Sequence, residues 1–191
     1  MANPRIIGGK AKGMRLNAVP GDSTRPVTDR VKEAFYNILG NDIVGASMFD
    51  LFGGTGSIGI EALSRGASYV RFSDANRNAY NTLVSNIKLT RFEKQAKVYF
   101  GDVFNILRGV PDREFEYIYV APPQYKGMWL KVLETLDRND GWLTDDGWIV
   151  VQINPIEREE PELENFVCFD ERKYGSTLLM FYYRKEMVPE E

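Results

Sequence analysis

The sequence predicts an α/β protein built on a mostly parallel sheet, and three observations predict it. From Ser47 onward, short runs rich in β-branched and aromatic residues alternate with stretches of helical period; that alternation calls for a parallel sheet covered by helices on both faces. The first run is followed directly by a glycine-rich turn, Gly53-Gly54-Thr55-Gly56, that opens a helix. The last two runs are separated only by Tyr174-Gly175-Ser176, which suits a terminal antiparallel hairpin.

Residues 5–7 and 14–16 alternate around Gly8, Gly9 and Gly13 and read as a glycine-rich hairpin. After a loop at 21–26, Thr28 is a candidate N-cap for a helix over 29–39. Its Val31, Phe35, Ile38 and Leu39 fall at helical spacing before Gly40. Residues 48–51 form the first strand and 57–65 the helix after it. A second strand at 69–73 leads to a helix over 76–90 that carries Ala79, Tyr80, Leu83 and Ile87 on one face. A third strand spans 96–100, with a short helix from Val103. The fourth, 117–120, ends in a double proline and is followed by a helix holding Trp129, Leu130, Leu133 and Leu136. Strands at 148–153, 166–173 and 177–184 complete seven. Together they describe a Rossmann-like seven-stranded sheet with a C-terminal antiparallel hairpin, plus a small N-terminal hairpin-and-helix extension. The expected division is an extension over residues 1–40 and a catalytic domain over 41–191.

At 191 residues the chain is long enough to bury roughly 70% of its unfolded surface around one sizeable core. Its 43% hydrophobic and 27% charged content is that of a globular protein. No apolar run approaches the roughly 18 residues of a membrane span. Histidine is absent, and Cys168 is the single cysteine. Ser-His-Asp hydrolysis, Cys-His proteolysis, HExxH metalloproteolysis and Cys/His zinc sites are thereby excluded, and no metal is expected. An intrachain disulfide is impossible, which fits a reducing compartment. The first ten residues carry no apolar signal core. A cytoplasmic monomer is expected, with the chloroplast stroma as the alternative for a chain from which a transit peptide has been removed.

The net charge of −3 hides an asymmetry. Residues 1–32 carry +5, from Arg5, Lys10, Lys12, Arg15, Arg25, Arg30 and Lys32 against two aspartates, and the other 159 residues carry −8. A basic arm on an acidic body points to a polyanionic partner for the arm.

The strongest local signal is Asp50-Leu51-Phe52-Gly53-Gly54-Thr55-Gly56-Ser57-Ile58-Gly59. Gly54, Gly56 and Gly59 give a G-x-G-x-x-G spacing, in which glycine lets the backbone approach a ligand and the helix start offers free amides. Asp74 ends the second strand twenty residues after Gly54, where an acid hydrogen-bonds a ribose. That much leaves a nicotinamide dinucleotide and S-adenosylmethionine both open. Asp50 favours the second, because a carboxylate just before the glycines repels a pyrophosphate and attracts the amino group of S-adenosylmethionine. Asp102, at the end of the third strand, is placed to accept from an adenine amine. The candidate cofactor-binding residues are Asp50, Phe52, Gly53, Gly54, Thr55, Gly56, Gly59, Asp74, Asp102 and Val103.

The fourth strand ends in Val120-Ala121-Pro122-Pro123-Gln124-Tyr125. Two prolines force an extended segment with no amide donors and leave carbonyls free to point into a cleft; Tyr125 offers a face for a planar base. Ala121, Pro122, Pro123, Gln124 and Tyr125 are the candidate catalytic residues.

The segments Arg5-Ile6-Ile7-Gly8-Gly9 and Arg25-Pro26-Val27-Thr28-Asp29-Arg30-Val31-Lys32-Glu33-Ala34-Phe35 carry a family resemblance. So does the glycine loop with Glu61-Ala62-Leu63-Ser64-Arg65-Gly66-Ala67. The chain resembles the RsmD family of ribosomal RNA guanine-N2 methyltransferases, which act on small-subunit (16S) RNA with S-adenosylmethionine. The resemblance implies that the loop holds the cofactor, that Asp74 holds its ribose and that Asp102 lies by its adenine. It also implies that the basic segment, Arg5, Lys10, Lys12, Arg15, Arg25, Arg30 and Lys32, grips RNA, either naked or in a small-subunit assembly intermediate. One departure stands out. The family's fourth-strand motif is usually Asp-Pro-Pro followed by Phe or Tyr, whereas this chain has Ala121 in place of the Asp and Gln124 before Tyr125. Losing one hydrogen bond from the target amine costs about 1.5 to 3 kcal/mol, but the Pro122 carbonyl and the Gln124 side-chain oxygen are both acceptors. Cys168 sits in the apolar run Phe166-Val167-Cys168-Phe169 and reads as core, which argues against pyrimidine-carbon methylation and its cysteine nucleophile. A catalytically silent RNA-binding relative and a nicotinamide-dependent oxidoreductase are the alternatives.

Overall fold

The computed structural model describes residues 3–21, 27–124 and 126–187. They fall into two compact units, Met1–Val103 and Phe104–Glu191.

In the first unit three parallel strands, β1 (Ser47–Asp50), β2 (Tyr69–Asp74) and β3 (Ala96–Phe100), pair in the register Met48↔Val70 and Val70↔Ala96. The helix α1 (Asp29–Leu39) starts where Thr28 accepts the Val31 amide at 3.3 Å. All eight residues of α2 (Ser57–Ser64) are buried, which explains why its apolar residues are not confined to one stripe. In α3 (Arg77–Thr90) the Asn76 side chain caps the Ala79 amide at 3.0 Å, and Arg91 closes the helix in the left-handed conformation.

The expected N-terminal hairpin is a turn closed by a single antiparallel bridge, Arg5↔Arg15, rather than a pair of strands. The Ile6 amide donates to the Met14 carbonyl at 2.9 Å and the Leu16 amide to the Pro4 carbonyl at 2.7 Å. Ile6 and Leu16 are fully buried, so this segment is packed down by its apolar residues.

The second unit holds β4 (Phe115–Val120), α5 (Met128–Arg138), β5 (Leu143–Ile153), β6 (Phe166–Tyr174) and β7 (Thr177–Arg184), and a short α4 (Val103–Leu107) leads into it. Strands β4 and β5 are parallel, and β7 is antiparallel to both β5 and β6. The seven strands form one sheet in the order β3-β2-β1-β4-β5-β7-β6, so the Rossmann-like expectation holds. A dinucleotide-binding sheet runs 3-2-1-4-5-6; here the reversed β7 is inserted between β5 and β6.

Two strands begin earlier than their sequence pattern indicates. Phe115 is fully buried and pairs with Leu143, after which the register shifts before Tyr117. The shift is possible because Gly147 has no side chain: a Cβ there would sit 2.9 Å from the Glu116 carbonyl and 2.7 Å from Leu143 Cδ1. The polar run Thr144-Asp145-Asp146-Gly147 precedes the strand expected at 148–153, yet it is strand. No helix among the described residues is long and apolar enough to cross a membrane.

Candidate functional site

The glycine loop leaves the tip of β1 and is held by β2. The Gly53 amide donates to the Ser73 carbonyl at 2.9 Å, and the Ser73 hydroxyl donates to the Leu51 carbonyl at 2.7 Å. Asp74 closes the clasp: its Oδ2 accepts the Gly54 amide at 3.0 Å and its Oδ1 accepts the Asn76 amide at 2.9 Å.

The glycines divide by role. Gly54 has φ +56° and nothing within 4 Å of where a Cβ would stand, so its backbone faces open space. Gly53, Gly56 and Gly59 face the protein. A Cβ would come within 2.7 Å of Leu83 at Gly53, within 2.4 Å of Leu83 at Gly56 and within 2.3 Å of the Phe72 ring at Gly59. Gly59 is thus a helix-to-strand packing position, the third-glycine role in such loops. Phe52, Thr55 and Asp74 are half-buried, Asp102 is exposed and Val103 is buried.

Asp50 lies at 2% exposure at the end of β1. Burial pushes its carboxyl up to about 7, and the nearby Asp74 adds to the rise while a backbone hydrogen bond from Gly59 opposes it. A buried acid near neutrality at the base of the glycine loop is poised to ionise against a cation.

Glu61, which no pattern in the sequence marks as a site residue, anchors the arm. Fully buried on α2, it accepts the Ile7 amide at 2.9 Å through one oxygen and the Gly8 amide at 3.0 Å through the other. Lys32 Nζ lies 3.2 Å and Arg65 Nε 3.2 Å from the same carboxylate. Ser64 adds two bonds, accepting the Ala11 amide at 2.9 Å and donating to the Gly8 carbonyl at 2.6 Å. The available signal was an isolated carboxylate inside Ser57-Ile-Gly-Ile-Glu-Ala-Leu, an otherwise apolar helix.

Lys32 corrects the set of expected RNA-contacting residues. It is 1% exposed, and its ammonium faces Glu61, the Arg5 carbonyl and the Ser57 hydroxyl, so it has no access to a phosphate. Burial lowers its pKa, against the pull of Glu61. Arg5, Lys10, Lys12, Arg15 and Arg30 are exposed, and Arg5 pairs with Asp29 at 2.7 Å. Arg25 lies outside the described residues.

In the second unit, Ala121 and Pro122 are half-buried where the chain leaves β4, and Pro123 and Gln124 are exposed. Tyr125 lies outside the described residues. Cys168 is half-buried on β6, and burial pushes its thiol up; a raised thiol is a poor nucleophile.

Fold and loop together define a Rossmann-like methyltransferase. The family described as "Conserved hypothetical protein 95" matches residues 4–183, and the chain belongs to it, the RsmD family. The Bacillus subtilis protein named "Putative rRNA methyltransferase YlbH" is 40% identical over 184 residues, which span 95% of this chain and 99% of that one. The Escherichia coli K12 protein named "Ribosomal RNA small subunit methyltransferase D" is 31% identical over 184 residues, 95% of this chain and 90% of that one. The solved structure of "Putative methyltransferase yhhF from Escherichia coli" superposes with a TM-score of 0.83 at 31% identity, covering 95% and 98% of the two chains.

Proposed function

We propose that the protein transfers a methyl group from S-adenosylmethionine to the exocyclic N2 amine of a guanine in small-subunit ribosomal RNA. The observation that carries this reading is the Asp74 clasp on the glycine loop with Asp50 buried beside it. The residues fit the cofactor's chemistry. Gly54 leaves open space beside its backbone. Both oxygens of Asp74 keep lone pairs free for two ribose hydroxyls. Asp50 offers a negative charge to an ammonium, and the exposed Asp102 an acceptor to an adenine amine.

When bound, S-adenosylmethionine supplies an electrophilic sulfonium methyl. The chain's own task is to orient the attacking amine, and proximity of this kind removes much of the barrier to group transfer. In this reading the Pro122 carbonyl and the Gln124 side-chain oxygen accept the amine's hydrogens, in place of the carboxylate that Ala121 lacks. Tyr125 stacks on the unstacked guanine, and the methylated amine loses its proton to water. Arg5, Lys10, Lys12, Arg15, Arg25 and Arg30 hold RNA phosphates. The substrate is the RNA within a small-subunit assembly intermediate, met by a cytoplasmic monomer. The relatives named as rRNA methyltransferases support the choice of RNA.

Ala121 favours a second reading, a relative that binds cofactor and RNA without turnover. Digestion of small-subunit RNA to nucleosides after incubation with methyl-labelled S-adenosylmethionine tests the proposal. Label in N2-methylguanosine is expected, and label in any other nucleoside would overturn the chosen amine.

A further inference from the structure

Two buried side chains fasten the N-terminal arm to the two sides of Gly56 in the glycine loop. Asn86 on α3 is fully buried. Its Oδ1 accepts the Asn17 amide at 2.8 Å, and its Nδ2 donates to the Asn17 carbonyl at 3.0 Å and to the Thr55 carbonyl at 2.8 Å. Lys32 does the same on the other side, its Nζ donating to the Arg5 carbonyl at 2.5 Å and to the Ser57 hydroxyl at 3.0 Å. Residues 5 and 17 of the arm thus reach residues 55 and 57 of the loop through one side chain each.

The chemistry leaves little slack. A carboxamide is the side chain that accepts once and donates twice in this arrangement; an aspartate at 86 would lose both donated bonds and leave carbonyls unpaired. Lys32 is charged, buried and committed to Glu61, so it cannot move without leaving that carboxylate short of a partner. Between the two attachment points lie Lys10, Lys12 and Arg15, all exposed. A polyanion seated on them restrains the arm, and a restrained arm holds Asn86 and Lys32 against the loop.

We infer that Asn86 and Lys32 are positioning residues that couple the arm to the cofactor loop, so that RNA on the arm and S-adenosylmethionine in the loop tighten each other's binding. The inference rests on the proposed function for its two ligands. Coupling between sites is reciprocal, and typical strengths correspond to about fivefold or more in affinity.

The test is calorimetry of the full chain with S-adenosylhomocysteine, which does not turn over, with and without saturating 16S RNA. In the wild type, RNA should tighten S-adenosylhomocysteine binding about fivefold or more. Asn86→Ala, checked for folding by thermal melting, should bring that ratio to one while each ligand still binds alone; a purely structural role would leave the ratio unmoved. Asn17→Pro removes the arm's donated amide and leaves α3 and Thr55 untouched, so it should also bring the ratio to one. It decides the matter if Asn86→Ala does not fold. A wild-type ratio of one with both ligands binding would overturn the inference and leave the proposed function standing, as would variants that keep the wild-type ratio. A wild type that fails to bind S-adenosylhomocysteine, or that binds neither 16S RNA nor its small-subunit assembly intermediate, overturns the proposed function, and this inference with it.

Discussion

Asp74 reaches back twenty residues to hold Gly54, accepting its amide at 3.0 Å while the other carboxylate oxygen accepts from Asn76. The same group shapes the loop and, in the proposed function, grips a ribose through charge-assisted bonds. Asp74→Ala should weaken S-adenosylmethionine binding by about tenfold or more, since it removes both. Isothermal calorimetry reads this directly, and unchanged affinity would remove Asp74 from the site.

The buried Asp50 carboxyl, raised to about 7, gives the site a pH dependence of defined sign. A cation favours the ionised form, so S-adenosylmethionine affinity should rise as the pH passes upward through about 7, and Asp50→Asn should flatten its share of that rise. Stability runs the other way. The folded chain holds a proton on Asp50 that the unfolded chain releases near 3.8, so this group's stabilisation is full below the unfolded value and is lost as the pH rises through the folded one. Thermal melts of the free protein should therefore show Asp50→Asn gaining on the wild type between about pH 4 and pH 7.

Glu61 is buried with Lys32 and Arg65 and holds two arm amides. Glu61→Ala leaves a buried ammonium without its partner, so it should cost about 3 to 5 kcal/mol in denaturant unfolding. The paired change Glu61→Leu with Lys32→Met should recover part of that loss. A double variant no better than Glu61→Ala would count against burial of an unpaired charge as the cause.

Truncating residues 1–20 would expose Glu61 as well as remove charge, so the arm's grip on RNA is better read from point variants. Lys10→Ala, Lys12→Ala and Arg15→Ala should each lower the slope of log affinity against log salt by about 0.7 for each phosphate left without its cation. Slopes equal to the wild type in all three would place the RNA elsewhere.

The strands and helices were legible wherever one local signal dominated. The Thr28 cap and the Val31, Phe35 and Leu39 spacing mark α1, and the turn at Tyr174-Gly175-Ser176 marks the hairpin. The early half of β5 was not legible, because its acidic residues face outward and its glycine is demanded by the Glu116 carbonyl, a non-local neighbour. Of the candidate site, the acids at the strand tips follow from position along the chain. Lys32 and Asn86 do not: their burial depends on which polar partners the tertiary fold brings to them. Charge alone counted Lys32 as a surface residue, and only Glu61, far along the chain on α2, reverses that.

Whether the chain turns over despite Ala121 is read from single-turnover transfer of labelled methyl from S-adenosylmethionine to 16S RNA or its assembly intermediate. The wild type should transfer methyl measurably, Gln124→Ala at a rate about tenfold or more lower, and Ala121→Asp with little gain, the scale being one lost hydrogen bond to the attacking amine. No transfer by the folded wild type to either substrate, with activity appearing in Ala121→Asp, would contradict that expectation.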